Sequence, residues 1–213
     1  IHRVQGRDQT RRLLERARAR GFSGLNVDLV YGLPHQTPAT FERTVDAVVQ
    51  MGVDRVAVYS FAYVPWMRGH QRKLDPTDLP ERDAKFALFA LARERFLDAG
   101  YLPIGMDHFA RPGDELARAL GAGRLRRNFQ GYSVVPAPDV VGLGVSTIGD
   151  VQGAYVQNLK KLSRYESSLL EGKLPVRGGV QRTADDEVRR YVIQELMCNF
   201  RVDLDAVEAR YGV

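Results

Sequence analysis

Asp107 and His108 stand side by side in the stretch Gly105-Met106-Asp107-His108-Phe109-Ala110-Arg111-Pro112, and a second polar run follows at Arg127-Asn128-Phe129-Gln130-Gly131-Tyr132. A carboxylate next to an imidazole can work as a general acid–base pair, or the carboxylate can simply fix the ring as a structural partner. Gln130 adds an amide, and the neighbouring glycines let backbone come close to whatever these groups touch. Such groups are costly to bury without partners, so a chain that gathers them has a use for them. Neither run has helical or strand periodicity, which reads as loop, and Phe109, Phe129 and Tyr132 argue against disorder.

A third candidate is Asp28. In Leu25-Asn26-Val27-Asp28-Leu29-Val30-Tyr31-Gly32 the apolar residues alternate with Asn26 and Asp28. Period two predicts a strand with one apolar face, so its carboxylate stands on the other face. It is either a ligand-facing acid or one half of an arginine ion pair. The glycines at 142 and 144 fit no dinucleotide or phosphate-loop pattern. Arg124, Arg126 and Arg127 read as a solvated face or, alternatively, an anion clamp. His2, His35 and His70 have no metal-ligand spacing, and Cys198 falls in a helical apolar stripe, which reads as core packing.

The elements that must carry these residues alternate between strand and helix. An amphipathic helix over 10–20 precedes the strand at 25–32. Thr37 and Pro38 then cap a helix that Gly52 ends, and Arg55–Phe61 is β-branched and aromatic. This β-α-β unit predicts parallel strands. Residues 62–77 form a long connection at the carboxyl end of the second strand, where α/β folds keep their ligand loops. A helix over 80–99 leads into a third strand at 101–106, which runs into Asp107 and His108 and sets them on the same edge as Asp28. Residues 115–120 read as a short helix, and 140–146 as a stretch suited to close backbone approach to a ligand. Helices are expected from 159 to 170, from 183 to 199 with Thr183 as cap, and from 204 onward.

At 213 residues and 44% hydrophobic, the chain can build a sizeable core. A net charge of +5 with scattered basic residues suits an anionic small ligand, and no zinc-finger or aromatic RNA-binding signature points to nucleic acid. One cysteine excludes an internal disulfide and a self-contained cysteine metal site, and a reducing cytoplasm is the expected location. No apolar run is long enough to span a bilayer. The chain starts with Ile1 rather than Met, and both ends read as truncated.

Together, the segments Leu25–Pro34, Gly105–Pro112, Arg127–Tyr132 and Gly142–Ile148 resemble the oxygen-independent coproporphyrinogen III oxidase family of radical S-adenosylmethionine enzymes, and Cys198-Asn199-Phe200-Arg201 resembles its C-terminal region. The resemblance implies an α/β fold: the C-terminal half of a partial (β/α) barrel over 1–150, then the start of a mostly α-helical domain over 151–213. It implies two S-adenosylmethionine molecules and a 4Fe-4S cluster, and an electron donor to the cluster. The reaction would convert two propionates of coproporphyrinogen III to vinyls by hydrogen abstraction and loss of carbon dioxide, giving protoporphyrinogen IX. By motif, Arg3, Asp28 and Ala62 would contact the second S-adenosylmethionine and Ile148 the first, with Gln130 near cofactor or substrate. Asp107 and His108 would shape the pocket. The family's C-x-x-x-C-x-x-C cluster motif is absent, so no residue here is a metal ligand and this fragment alone is expected to be inactive. A monomer is expected. The competing reading is a haem-binding and trafficking relative with the same barrel, and a third is a cluster-free hydrolase using Asp107 and His108.

Overall fold

The computed structural model describes residues 4–213, so Arg3 lies outside the described residues. The chain divides into two compact units, one ending at Ala122 and one spanning Gly123–Val213. The division falls ahead of residue 150, because the strands between 126 and 158 pair among themselves and with a later strand, and add nothing to the first sheet.

The first unit holds α1 (Arg7–Ala19), β1 (Asn26–Tyr31), α2 (Pro38–Gln50), β2 (Arg55–Ser60), α3 (Arg82–Asp98), β3 (Leu102–Gly105), β4 (His108–Ala110) and α4 (Glu115–Gly121). Its sheet runs β1-β2-β4-β3. β1 and β2 are parallel, as the β-α-β reading requires. Thr37 and Thr40 form a reciprocal capping box at the start of α2, with Pro38 directly after the cap.

One face of this sheet meets the helices. Leu29 of β1, Val56 and Val58 of β2, and Phe109 of β4 pack with Phe41, Val45 and Val48 of α2 and Leu88, Ala92 and Phe96 of α3. Phe96 stacks on Phe109 at 5.4 Å between ring centres. Each such side chain, when fully buried, stabilises by about 1.5–3 kcal/mol, and this shared core fixes which way every strand faces.

The stretch around Asp107 is a hairpin rather than a loop. β3 runs in the same sense as β1 and β2, but β4 folds back between β2 and β3, antiparallel to both. Met106 sits in the left-handed region with φ 48°, beside Gly105, and the turn is only two residues long. A three-residue strand is too short to leave a period-two signal, which is why the sequence reads as loop there.

The second unit contains the hairpin β5 (Arg126–Asn128) and β6 (Gly131–Ser133), and a sheet ordered β7 (Ile148–Val151), β8 (Ala154–Asn158), β9 (Val176–Gln181). The expected helices are present as α5 (Leu162–Leu170), α6 (Ala184–Asn199) and α7 (Leu204–Tyr211). β9 lies where a loop was expected, and β8 in a run of residues that carried no assignment. Arg182 is the joint: its side chain is 7% exposed, it bonds Asp150 of β7 and Glu187 of α6, and it lies over the Tyr155 ring of β8 at 4.8 Å. Among the described residues no helix is long and apolar enough to cross a membrane.

Candidate functional site

Side chains alternate across a strand, so the face opposite the helical core carries Asn26, Asp28 and Val30 of β1, Ala57 and Tyr59 of β2, and His108 of β4. The register sets Asp28 beside Ala57 and Ala57 beside His108. Asp28 and His108 therefore share one lateral row with a single small residue between them, about 10 Å apart at the usual strand spacing. A larger residue than Ala57 would fill the space between them.

Asp28 accepts a hydrogen bond from Asn26 at 2.7 Å. No arginine or lysine pairs with it among the described residues, which do not include Arg3. Asp107 meets His108 Nδ1 at 2.7 Å, with side chains 25% and 16% exposed. The Tyr59 ring stands edge-on to the imidazole at 6.0 Å. The carboxylate orients the ring through Nδ1 and leaves Nε2 directed away from it.

Ala62 follows β2 at its carboxyl end, and its backbone is held rigidly. The buried Gln71 side chain donates to the Ala62 carbonyl at 2.9 Å and accepts from the Val64 N–H at 2.6 Å. One amide thus replaces a missing neighbouring strand. Lys85 Nζ donates to the Phe61 carbonyl at 2.6 Å. Gly32 makes that possible: it has φ +83°, and a Cβ there would stand 2.6 Å from the Lys85 stem.

In the second unit, Gln130 lies in the β5–β6 turn and Ile148 opens β7. Gln130 Nε2 comes within 3.5 Å of the Ile148 carbonyl, so these two sequence candidates are neighbours. They border a groove of about 330 Å3 lined by Phe129, Ile148, Tyr155, Arg177 and the Gly178-Gly179 backbone. Phe129 is 57% exposed and meets Tyr155 edge-on at 5.1 Å. β9 lies close enough to β8 that a Cβ on Gly179 would stand 2.3 Å from the Tyr155 carbonyl. The segment before β7 is packed against its own chain: Asn158 Nδ2 donates to the carbonyls of Gly142 and Gly144 at 3.0 and 2.9 Å, and Val140 pairs with Asp150. The small residues at 142 and 149 serve that internal closeness.

Cys198 is fully buried in α6, and burial pushes its thiol up to about 11. Burial therefore favours its neutral thiol form. Among the described residues no group of His, Cys, Asp and Glu could hold a metal ion.

No family model matches the chain. An oxygen-independent coproporphyrinogen III oxidase of Pseudomonas aeruginosa is 42% identical over 213 residues, all of this chain and 46% of that protein. One from Thermostichus vulcanus is 41% identical over 214 residues, again all of this chain and 66% of that protein. A solved structure of coproporphyrinogen III oxidase from Escherichia coli, described as a radical SAM enzyme, superposes with a TM-score of 0.96 at 40% identity, over all of this chain and 49% of that one. The chain is homologous over its whole length to the oxygen-independent coproporphyrinogen III oxidases. It spans about half the length of the curated oxidases it matches.

Within the part that these oxidases share with the chain, the residues singled out by sequence fall into two sets. Asp28, Ala62, Asp107 and His108 lie on or just beyond the open face of the first unit's sheet, and Gln130 and Ile148 border the groove of the second. Sequence reasoning missed Gln71, Tyr155 and Arg177. The run Ala154-Tyr155-Val156 carried a strand signal that could have pointed to Tyr155, whereas an amide such as Gln71, on a short 3-10 turn, carries none.

Proposed function

We propose that this chain supplies the cofactor- and substrate-facing surfaces of an enzyme that oxidatively decarboxylates coproporphyrinogen III to protoporphyrinogen IX without oxygen. The observation that supports this most is the Asp28 carboxylate on the open sheet face, in a chain whose homologues bear that enzyme's name along its entire length.

The residues present fit S-adenosylmethionine and do not fit the 4Fe-4S cluster. For the cluster, the one cysteine, buried in α6, cannot by itself supply the set of thiolates that holds such a cluster, so the reading places those cysteines outside this sequence. For S-adenosylmethionine, Asp28 offers an exposed carboxylate suited to a ribose hydroxyl or an ammonium group, and Phe129 and Ile148 offer apolar surface suited to an adenine. Together with a reduced cluster, S-adenosylmethionine would supply the radical chemistry that removes a hydrogen atom from a substrate propionate.

The chain's own residues then have distinct tasks. Asp28, with Arg3 and the Ala62 backbone, holds the second of two S-adenosylmethionine molecules, and Ile148 packs on the first. Gln130 donates its amide toward cofactor or substrate. Asp107 fixes the ring of His108, and the pair shapes the substrate and cofactor pocket without having to carry the chemistry. The protein acts as a cytoplasmic monomer with a separate electron donor. By itself this chain, lacking the cluster ligands, is inactive.

Incubating the longer protein with coproporphyrinogen III, S-adenosylmethionine and a reductant, without oxygen, tests the reading. Vinyl products support it. Stoichiometric haem binding with no vinyl product would replace it with a haem carrier.

A further inference from the structure

A second cavity, of about 280 Å3, opens within the second unit among the β5–β6 hairpin, residues 135–140, α6 and α7. Four arginines line it, Arg126, Arg127, Arg190 and Arg210, against the single carboxylate of Glu187. That carboxylate is already engaged: it accepts from Arg182 Nε at 2.5 Å and lies 3.8 Å from Arg190. Arg190 is itself shared with Asp150 at 2.7 Å. Among the described residues, no carboxylate pairs with Arg126, Arg127 or Arg210.

Aromatic rings hold two of these cations without neutralising them. Arg127 lies over Tyr132 at 4.7 Å, and Arg210 over Tyr191 at 5.1 Å and Tyr211 at 5.4 Å. Arg127 Nη1 is shut away from solvent and has no hydrogen-bond partner among the described residues. A buried guanidinium N–H left unmade is costly, and a concave, walled cleft of one sign concentrates the opposite charge. Carboxylate and phosphate match the guanidinium fork in shape as well as charge.

We propose that this cleft binds a small oxyanion, a carboxylate or phosphate group, with Arg127 Nη1 as the buried donor and Arg126 and Arg210 closing around it. It shares no lining residue with the Gln130–Ile148 groove, and it does not depend on the oxidase reading. Tyr191 and the prolines at 136 and 138 give the ligand's carbon skeleton an apolar wall.

The test is calorimetric titration of the full-length protein with citrate and, separately, inorganic phosphate at constant ionic strength. Saturable binding of one anion per chain is expected. Preference for citrate identifies a carboxylate ligand, and preference for phosphate a phosphorylated one; either supports the site. Arg127→Gln should weaken binding at least about tenfold, since a charged hydrogen bond is lost. Arg127→Lys should restore only part of it, because a point charge lacks the fork. Arg93→Gln, on the exposed side of α3, should change nothing. Should Arg127→Gln fold poorly, Arg210→Gln provides the same comparison at the cleft rim. No saturable binding of either anion, or equal affinity in wild type and the Arg127 or Arg210 variants, would overturn the proposal.

Discussion

Replacing Arg182 by methionine keeps an unbranched side chain over the Tyr155 ring and removes the charge. Arg182 is 7% exposed, and burial opposes its charge while Glu187 and Asp150 hold it protonated, with its pKa above the ordinary arginine value. Removing one partner of a buried ion pair costs about 3–5 kcal/mol, because the other charge stays behind without compensation. Two features reduce that figure here. Asp150, 13% exposed, keeps Arg190 at 2.7 Å, and Glu187, 34% exposed, regains water. We therefore expect a loss of about 3 kcal/mol for the second unit. With an m-value of about 2 kcal/mol per molar, the urea midpoint should fall by roughly 1.5 M. Far-UV circular dichroism is the suitable probe, because the one tryptophan, Trp66, lies in the first unit. Adding Asp150→Asn and Glu187→Gln to Arg182→Met should recover part of the loss, since no carboxylate is then stranded and Arg190, which loses both partners, is 44% exposed to water. A loss under about 0.5 kcal/mol in the single variant, the range of ordinary surface substitutions, would refute the view that Arg182 joins β7 to α6.

Three other predictions concern separate parts of the molecule. Gln71→Ala leaves the Ala62 carbonyl and the Val64 N–H unpaired, at a cost of about 1–3 kcal/mol; amide exchange at Val64 should quicken, and unchanged exchange would show that Gln71 does not hold the loop. Burial pushes the Cys198 thiol up to about 11 from an ordinary value of 9.0, so the folded state favours the neutral thiol. Its contribution is complete below pH 9 and is lost as pH rises through 11, a decline that Cys198→Ala should flatten in pH-dependent denaturation; an unaltered profile would assign the decline elsewhere. Ala57→Leu should fill the row between Asp28 and His108 and weaken S-adenosylmethionine binding by the longer protein at least about tenfold, whereas binding unchanged in equilibrium dialysis would mean that the cofactor does not use this face.

Much of the first unit was legible in the sequence because its strands are long and its helices well capped. Six residues of β1 alternate, which fixed the face of Asp28, and Thr37-Pro38 marked the start of α2. Three-residue strands do not repeat often enough to show a period, so β4, β5 and β6 read as loops, and the fold-back that sets His108 beside Ala57 had no local signal. β9, with Gly178 and Gly179 in its middle, lacks the composition of a strand and is made one by pairing with β8. The Asp28, Asp107 and His108 candidates came from residue type and position, whereas Gln71 depends on a contact no spacing reveals. The basic run at 124–127 was ambiguous between solvated face and anion clamp, and only the cleft formed by α6 and α7 distinguishes Arg127 from its neighbours.

In the proposed function, Asp28 holds a cofactor required for decarboxylation. The most direct measurement is anaerobic turnover of coproporphyrinogen III by the longer protein, with its cluster intact, comparing wild type with Asp28→Ala. Vinyl products from wild type, and a rate about tenfold to a hundredfold lower in Asp28→Ala with unchanged thermal stability, are predicted from the loss of a charge-assisted contact of about 1.5–3 kcal/mol. Equal rates in the two proteins would contradict it.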